Sequence, residues 1–343
     1  MFECPLTPFT MKISNLVLAT VMAGTAAAVE KPDPMILHSA YTPFGPLPKQ
    51  ELNVTGIPKL AKRAKFLGVN TIFVSGSMSE FDTMTVTERE TLISAWLEAA
   101  QKEDLYTIVN VGTTVQSEAK QLARFADKKG ADAIATVPPY YSHCSDVDTL
   151  VTWLGEVASA APDLPLWYYH IPGTTQVNFN MADLMPAAES AGLSQLTEKG
   201  GIKFVSSDTY DFFQVSNWVA DGRDATILFA PEPKLQGFAL QTPYAGAVLA
   251  EDFYAPTYLR MRKHYDAGDA EAAIKEQNWK YSVDAVFSKY GGTPAKRASY
   301  RKTCGVEMGD GRLPVLPFNE SNYDAMVEEL EALGFWDQEP PSM

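Results

Sequence analysis

Apolar positions along the chain follow two periods in turn. Short β-rich runs at 35–42, 70–74, 106–111, 133–137, 164–169, 200–204, 226–229 and 246–249 predict eight strands. Longer stretches with helical amphipathic spacing lie between them, near 49–67, 85–102, 115–129, 147–160, 180–191, 208–220 and 234–242. Thr85-Val86-Thr87-Glu88 marks one helix start as a capping box, with Thr capping the first turn and Glu reaching back. Strands that are apolar throughout and alternate with helices belong to a parallel sheet covered by helices. Eight such repeats close a barrel. A doubly wound open sheet would carry a glycine-rich loop after its first strand. That strand ends Tyr41-Thr42-Pro43-Phe44 instead, with no GxGxxG. The predicted fold is therefore α/β, a (β/α)8 TIM barrel over 29–252. Helical spacing at 254–267, 270–289, 293–302 and 322–333 predicts a C-terminal helical extension over 253–343, packed on the barrel.

The segment before the barrel does not look like fold. Met11-Lys12 opens a small, apolar run to Ala28 that ends Ala26-Ala27-Ala28, which reads as a signal peptide over 1–28 and predicts entry into the secretory pathway. The rivals are an unstructured tail, or Met11 as the true start of a cytoplasmic chain. The run is too short and too rich in Ala, Thr and Gly for a membrane span.

Composition narrows the function without naming it. The 343 residues are 46% hydrophobic and 20% charged, an ordinary globular balance. Lys and Arg number 28 against 42 Asp and Glu, a formal charge of −14 with no local basic cluster. A nucleic-acid partner is excluded on that footing, because phosphate backbones demand a positive footprint. Cys4, Cys144 and Cys304 allow one disulfide at most after cleavage of the leader, and no Cys/His spacing suggests a metal site. Asn53-Val54-Thr55 and Asn319-Glu320-Ser321 are glycosylation sequons that matter only on a secretory route.

In such a barrel, catalytic side chains sit at the C-terminal ends of strands. The second run ends Ser75-Gly76-Ser77-Met78-Ser79-Glu80, a turn whose N–H and hydroxyl groups suit a carboxylate or phosphate. The fourth ends Pro138-Pro139-Tyr140-Tyr141, and the fifth Trp167-Tyr168-Tyr169-His170-Ile171-Pro172. The sixth is Gly200-Gly201-Ile202-Lys203-Phe204. A lysine in an apolar strand either snorkels to solvent or is buried with a lowered pKa, which makes its amine a nucleophile for carbonyls. A tyrosine one strand over can move the protons of imine chemistry.

Taken in order, these segments resemble the pyruvate-dependent class I aldolases, the family that includes N-acetylneuraminate lyase and dihydrodipicolinate synthase. The resemblance spans about 35–318 and adds Gly305-Val306-Glu307-Met308-Gly309-Asp310-Gly311-Arg312-Leu313-Pro314 to the motifs above. Tyr168-Tyr169-His170-Ile171-Pro172 is most similar to the animal-type neuraminate lyases. The resemblance implies a Schiff base on Lys203 with the C2 ketone of a 2-keto acid, Tyr169 as general acid/base, and Ser77 holding the carboxylate and linking Tyr169 to Tyr140. It implies substrate contacts at Ser77, Met78, Thr42, Val205 and Glu232, and no metal or organic cofactor. It also implies a homotetramer in which Tyr140 reaches into a neighbouring subunit's site. The implied activity is cleavage of N-acetylneuraminate to N-acetylmannosamine and pyruvate. The rivals are the same mechanism on another 2-keto-3-deoxy sugar acid, or an inactive sugar- or keto-acid-binding barrel.

The departures fall on one side of the pattern. Met78 and Ser79 stand where the family has Thr and Gly, and Ser79 is expected to strain the turn if that position needs φ > 0. After the seventh strand, Pro231-Glu232-Pro233-Lys234 replaces a glycine and an Asp-Glu pair, leaving Glu232 as a partial substitute. After the eighth, Leu249-Ala250-Glu251 replaces Gly-Ser-Thr. An arginine five residues beyond the catalytic tyrosine, typical of the dihydrodipicolinate branch, is Thr174 here.

Overall fold

The computed structural model describes residues 29–230, 240 and 245–338. The expected leader over 1–28, the Pro231–Lys234 positions including Glu232, and the 234–242 helix apart from Leu240 lie outside the described residues. Eight parallel strands pair in sequence order and close on themselves: β1 (Ile36–Ser39), β2 (Thr71–Val74), β3 (Tyr106–Asn110), β4 (Ala133–Thr136), β5 (Leu166–His170), β6 (Gly201–Phe204), β7 (Thr226–Phe229) and β8 (Ala245–Leu249). Seven are buried at every position, and β7 at all but its first residue. This is why their sequences read as continuous apolar runs rather than alternating ones.

Helices α1 (Ile57–Phe66), α2 (Val86–Lys102), α3 (Gln116–Lys128), α4 (Val147–Ala158), α6 (Met181–Ser190) and α7 (Thr209–Ala220) fall between strands, and α5 (Pro172–Thr175) is a single turn after β5. The first helix starts later than its spacing suggests. Residues 44–53 spend their backbone groups elsewhere, with Gly45 N–H on Glu51 O at 2.8 Å, Asn53 N–H on Pro43 O at 2.9 Å and a Phe44–Leu52 bridge. Helix α2 begins with the reciprocal Thr85–Glu88 capping box.

Beyond the barrel, α8 (Ala255–Asp266), α9 (Ala270–Lys289), α10 (Thr293–Cys304) and α11 (Tyr323–Ala332) complete the described chain. They are fastened to the barrel by buried polar contacts. Arg297, 1% exposed, donates to Thr42 O, Met308 O and Gly309 O at 2.7–3.0 Å and pairs with Glu80 at 3.3 Å. Arg312 grips Glu88 at the start of α2 and the Gln50 carbonyl. No described helix is long and apolar enough to cross a membrane. Cys144 and Cys304 are free thiols.

Candidate active site

The site is laid out by strand register. Parallel pairing of β5 with β6 sets Tyr169 directly beside Lys203, so both side chains face the same side of the sheet. Gly201 lets β6 close against β7 on its other side. Its φ is +154°, and a Cβ there would lie 1.9 Å from Thr226 O. Lys203 is 3% exposed, so it does not snorkel. Its ammonium sits 3.8 Å from the Tyr169 ring centroid and 4.2 Å from that of Phe73. No carboxylate forms an ion pair with it among the described residues. Burial pushes the Lys203 amine below its ordinary value, and the Tyr169 hydroxyl offsets only part of that.

Phe73 also packs edge-on to Tyr169, ring centroids 5.2 Å apart, and Gly76 lies across its ring, where a Cβ would approach to 2.6 Å. The β2 turn is thereby pressed against the lysine. It is held from below by Arg89, buried in α2, which donates to Ser75 Oγ and to the Asn110 and Gly112 carbonyls at 2.7–3.0 Å. Ser77–Ser79 form one 3₁₀ turn. The first N–H groups of such a turn have no partner within it and point at whatever binds there. Ser77 Oγ lies 3.1 Å from the Tyr169 hydroxyl.

Ser79 does not carry the anticipated strain. The positive φ values of this segment fall on its flanks, at Ser75 (59°) and Glu80 (56°). Ser79 is buried and its hydroxyl donates to Ala40 O. Glu80 orders the turn from the far side, accepting from Arg312 N–H at 2.7 Å and pairing with Arg297. Burial raises its carboxyl above the usual range despite Arg297.

Ser77, Met78, Tyr169, Lys203 and Val205 line one cavity of about 210 Å³ at the C-terminal end of the barrel. Two other expected site residues stand apart from it. Thr42 is fully buried and its hydroxyl donates to Ser79 O at 2.8 Å, so its place is behind the turn. Tyr140 packs edge-on to Phe81, centroids 6.4 Å apart, outside the cavity of its own chain. His170 is packed as an aromatic between Tyr168 and Phe204, its Nδ1 without a hydrogen bond among the described residues, and burial lowers its pKa to about 4. A larger depression of about 550 Å³ opens alongside, over Pro172, Gln176, Asn178 and Asp208, and shares Val205 with the cavity.

The part of the lining built by β8 and the C-terminal helices was only partly anticipated from the sequence. Ala230, Val248, Ala250, Glu251, Tyr254 and Lys280 also line the cavity, with Ser39 and Ile171. Glu251 is 1% exposed and Lys280 4%. Glu251 Oε1 accepts from Tyr41 Oη at 2.8 Å and pairs with Lys296 at 3.2 Å. Asp284 pairs with Lys280 at 2.6 Å and with Lys296 at 3.2 Å, and accepts from Tyr254 Oη at 2.6 Å. Burial works against the Asp284 charge, yet Lys280 and Lys296 hold its carboxyl below the ordinary range. Lys280 is shifted down because burial outweighs its pairing with Asp284. Glu251 had a sequence signal, as a departure from Gly-Ser-Thr. Lys280 had none, since it sits in a long helix among many charged residues.

This arrangement suits carbonyl chemistry: a buried amine, a phenol beside it, and a hydroxyl joined to that phenol. Comparison with known proteins agrees with the geometry. The family model described as "Dihydrodipicolinate synthetase family" matches residues 35–333. N-acetylneuraminate lyase A of Xenopus laevis is 32% identical over 257 residues, 72% of this chain and 79% of that protein. N-acetylneuraminate lyase of Rattus norvegicus is 28% identical over 273 residues, 78% of this chain and 83% of that protein. The solved structure of Proteus mirabilis N-acetylneuraminate lyase superposes with a TM-score of 0.79 at 24% identity, covering 89% of this chain and all of that one. The chain belongs to the dihydrodipicolinate synthetase family, whose members are carbon–carbon lyases that work through a lysine Schiff base without a metal cofactor.

Proposed function

We propose that this chain is a pyruvate-dependent class I aldolase that cleaves a 2-keto sugar acid, with N-acetylneuraminate as the first substrate to test. The observation that carries the reading is the buried Lys203 amine packed on Tyr169, whose hydroxyl is joined to Ser77. Lys203 adds to the C2 ketone and water leaves, forming a protonated imine. The phenolic oxygen of Tyr169 receives the proton of the C4 hydroxyl as the C3–C4 bond breaks. The bonding pair moves into the imine and gives an enamine, and the aldehyde departs. Protonation at C3 and hydrolysis release pyruvate and return the amine. Ser77 Oγ and the leading N–H groups of its turn hold the keto-acid carboxylate. The depression that shares Val205 offers room for the rest of a long sugar acid.

Tyr140 belongs to a neighbouring copy's site in this reading. Its position outside its own cavity, next to a Tyr141 that is 89% exposed, supports an oligomer of tetramer type. The leader over 1–28 sends the chain into the secretory pathway, which N-terminal sequencing of material from the native host tests. The activity is tested by incubating the protein with N-acetylneuraminate and measuring pyruvate. Release that disappears in Lys203→Ala is the expected result. No release from this or any other 2-keto-3-deoxy sugar acid would overturn the reading.

A further inference from the structure

Four Lys and Arg side chains are buried among the described residues: Arg89, Lys203, Lys280 and Arg297. Two of them have a carboxylate, Lys280 on Asp284 and Arg297 on Glu80. Arg89 and Lys203 form no ion pair among the described residues. Lys203 lines the cavity together with Ser77, and Arg89 lies behind the turn that carries Ser77. Arg89 is 3% exposed, and its hydrogen bonds go to uncharged acceptors: Ser75 Oγ and Gly112 O at 3.0 Å, and Asn110 O at 2.7 Å. Tyr140, Glu118 and Asp82 act on it from a distance. Glu80, on the same turn, is engaged by Arg297 and by the Arg312 N–H. Burial lowers the Arg89 pKa only to about 10, so the guanidinium keeps its charge at neutral pH. A buried charge without a partner is costly. Ser75 and Asn110 are fully buried as well, so little water screens the guanidinium from the turn.

We propose that Arg89 is a positioning residue for the keto-acid carboxylate, its charge unbalanced within the chain and offset by the anion that the Ser77 turn receives. This deepens the aldolase reading and rests on it. Arg89 does not touch the substrate. It acts through the turn, with its Nε on Ser75 Oγ two residues before Ser77, while Asn110 Nδ2 holds the Ser75 carbonyl at 2.7 Å. Across the width of one buried turn, a unit charge still changes the binding of an opposite one by about tenfold. The charge therefore selects as well as holds. A keto acid gains from it, and an uncharged ketone of the same shape does not.

The test is borohydride trapping on Lys203 with pyruvate and with pyruvamide, its uncharged isostere, each over a range of concentrations. The readout is the ratio of the two half-saturating concentrations, in which changes at Lys203 itself cancel. The wild-type chain should half-saturate with pyruvate at a concentration about tenfold or more below that for pyruvamide. Arg89→Gln removes the charge and should shrink that preference about tenfold. Arg89→Lys keeps the charge but not the three-way brace, and should retain the preference. Ser75→Gly removes the hydroxyl that Arg89 holds, suits the φ of 59° at that position and leaves the charge in place. It should shift both half-saturating concentrations by the same factor. A preference unchanged in Arg89→Gln, or lost as fully in Arg89→Lys or Ser75→Gly, would overturn the proposal and reduce Arg89 to a brace. If the Arg89 variants fail to fold, Ser75→Gly and the wild-type comparison still decide. A wild-type imine with no preference for pyruvate refutes this inference alone. No imine from either compound refutes the aldolase reading beneath it.

Discussion

The two walls of the cavity are built from different materials. The β2–β5–β6 wall uses packing: an aromatic ring under a lysine, a glycine against the ring, and one buried arginine bracing the turn. The β8–α9 wall uses charge, with Glu251, Lys280, Asp284 and Lys296 satisfying one another. Packing leaves the Lys203 amine without a counterion among the described residues and so lowers the cost of its neutral form. The charged wall instead satisfies its own donors and acceptors. The proposed imine chemistry resides on the first wall. The second holds Ala250 and Glu251, where the resemblance leads one to expect other residues.

That contrast can be broken in order of expected effect. Lys203→Ala should remove the nucleophile and with it essentially all turnover, about four orders of magnitude or more, in a pyruvate-release assay. Residual turnover above about one per cent would place the nucleophile elsewhere. Tyr169→Phe should lower turnover by about 10²–10⁴-fold. Its pyruvate adduct on Lys203 should still form, because the amine remains. Parallel loss of both would reduce Tyr169 to a packing residue.

The same packing logic extends below the site. Arg297→Met leaves Glu80 buried with only its Arg312 contact, so the chain should lose about 3–5 kcal/mol in denaturant unfolding. A loss below about 1 kcal/mol would mean that the β2 turn is held without this pair. Least is expected from Glu88→Gln, at about 1 kcal/mol. Hydrogen bonds from Arg312 hold the Glu88 carboxyl at about 2, below its ordinary 4.5. A depressed carboxylate stabilises the fold above its unfolded pKa and loses that contribution as pH falls. The gap between wild type and variant should thus be full at neutral pH and close between about pH 4.5 and pH 2. A gap that does not change over that range would show that the Arg312 contact contributes nothing.

The barrel could be read from the chain because each strand is buried on both faces, so eight apolar runs stand out from amphipathic neighbours. The loop at 44–56 could not be read this way. Its apolar residues serve a bridge and turn contacts rather than a helix face. On the first wall, Lys203, Tyr169 and Ser77 were visible because they end strands, where local spacing carries meaning. Thr42 was visible for the same reason, yet its hydroxyl turns to Ser79 O. Strand position marks which end of the barrel a residue occupies, not which way its side chain faces. The second wall was largely hidden. Lys280 and Asp284 meet Glu251's partner Lys296 only after two helices fold back over the barrel mouth, and one more charged pair in a helix has no distinctive signature.

The most direct measurement is reductive trapping. The protein is incubated with pyruvate, and separately with N-acetylneuraminate, then treated with borohydride and mapped by peptide mass. A class I aldolase of this design gives a pyruvyl adduct on Lys203 from pyruvate, and from the sugar acid as well if that is its substrate. Absence of any adduct on Lys203 from either compound would contradict the central assignment.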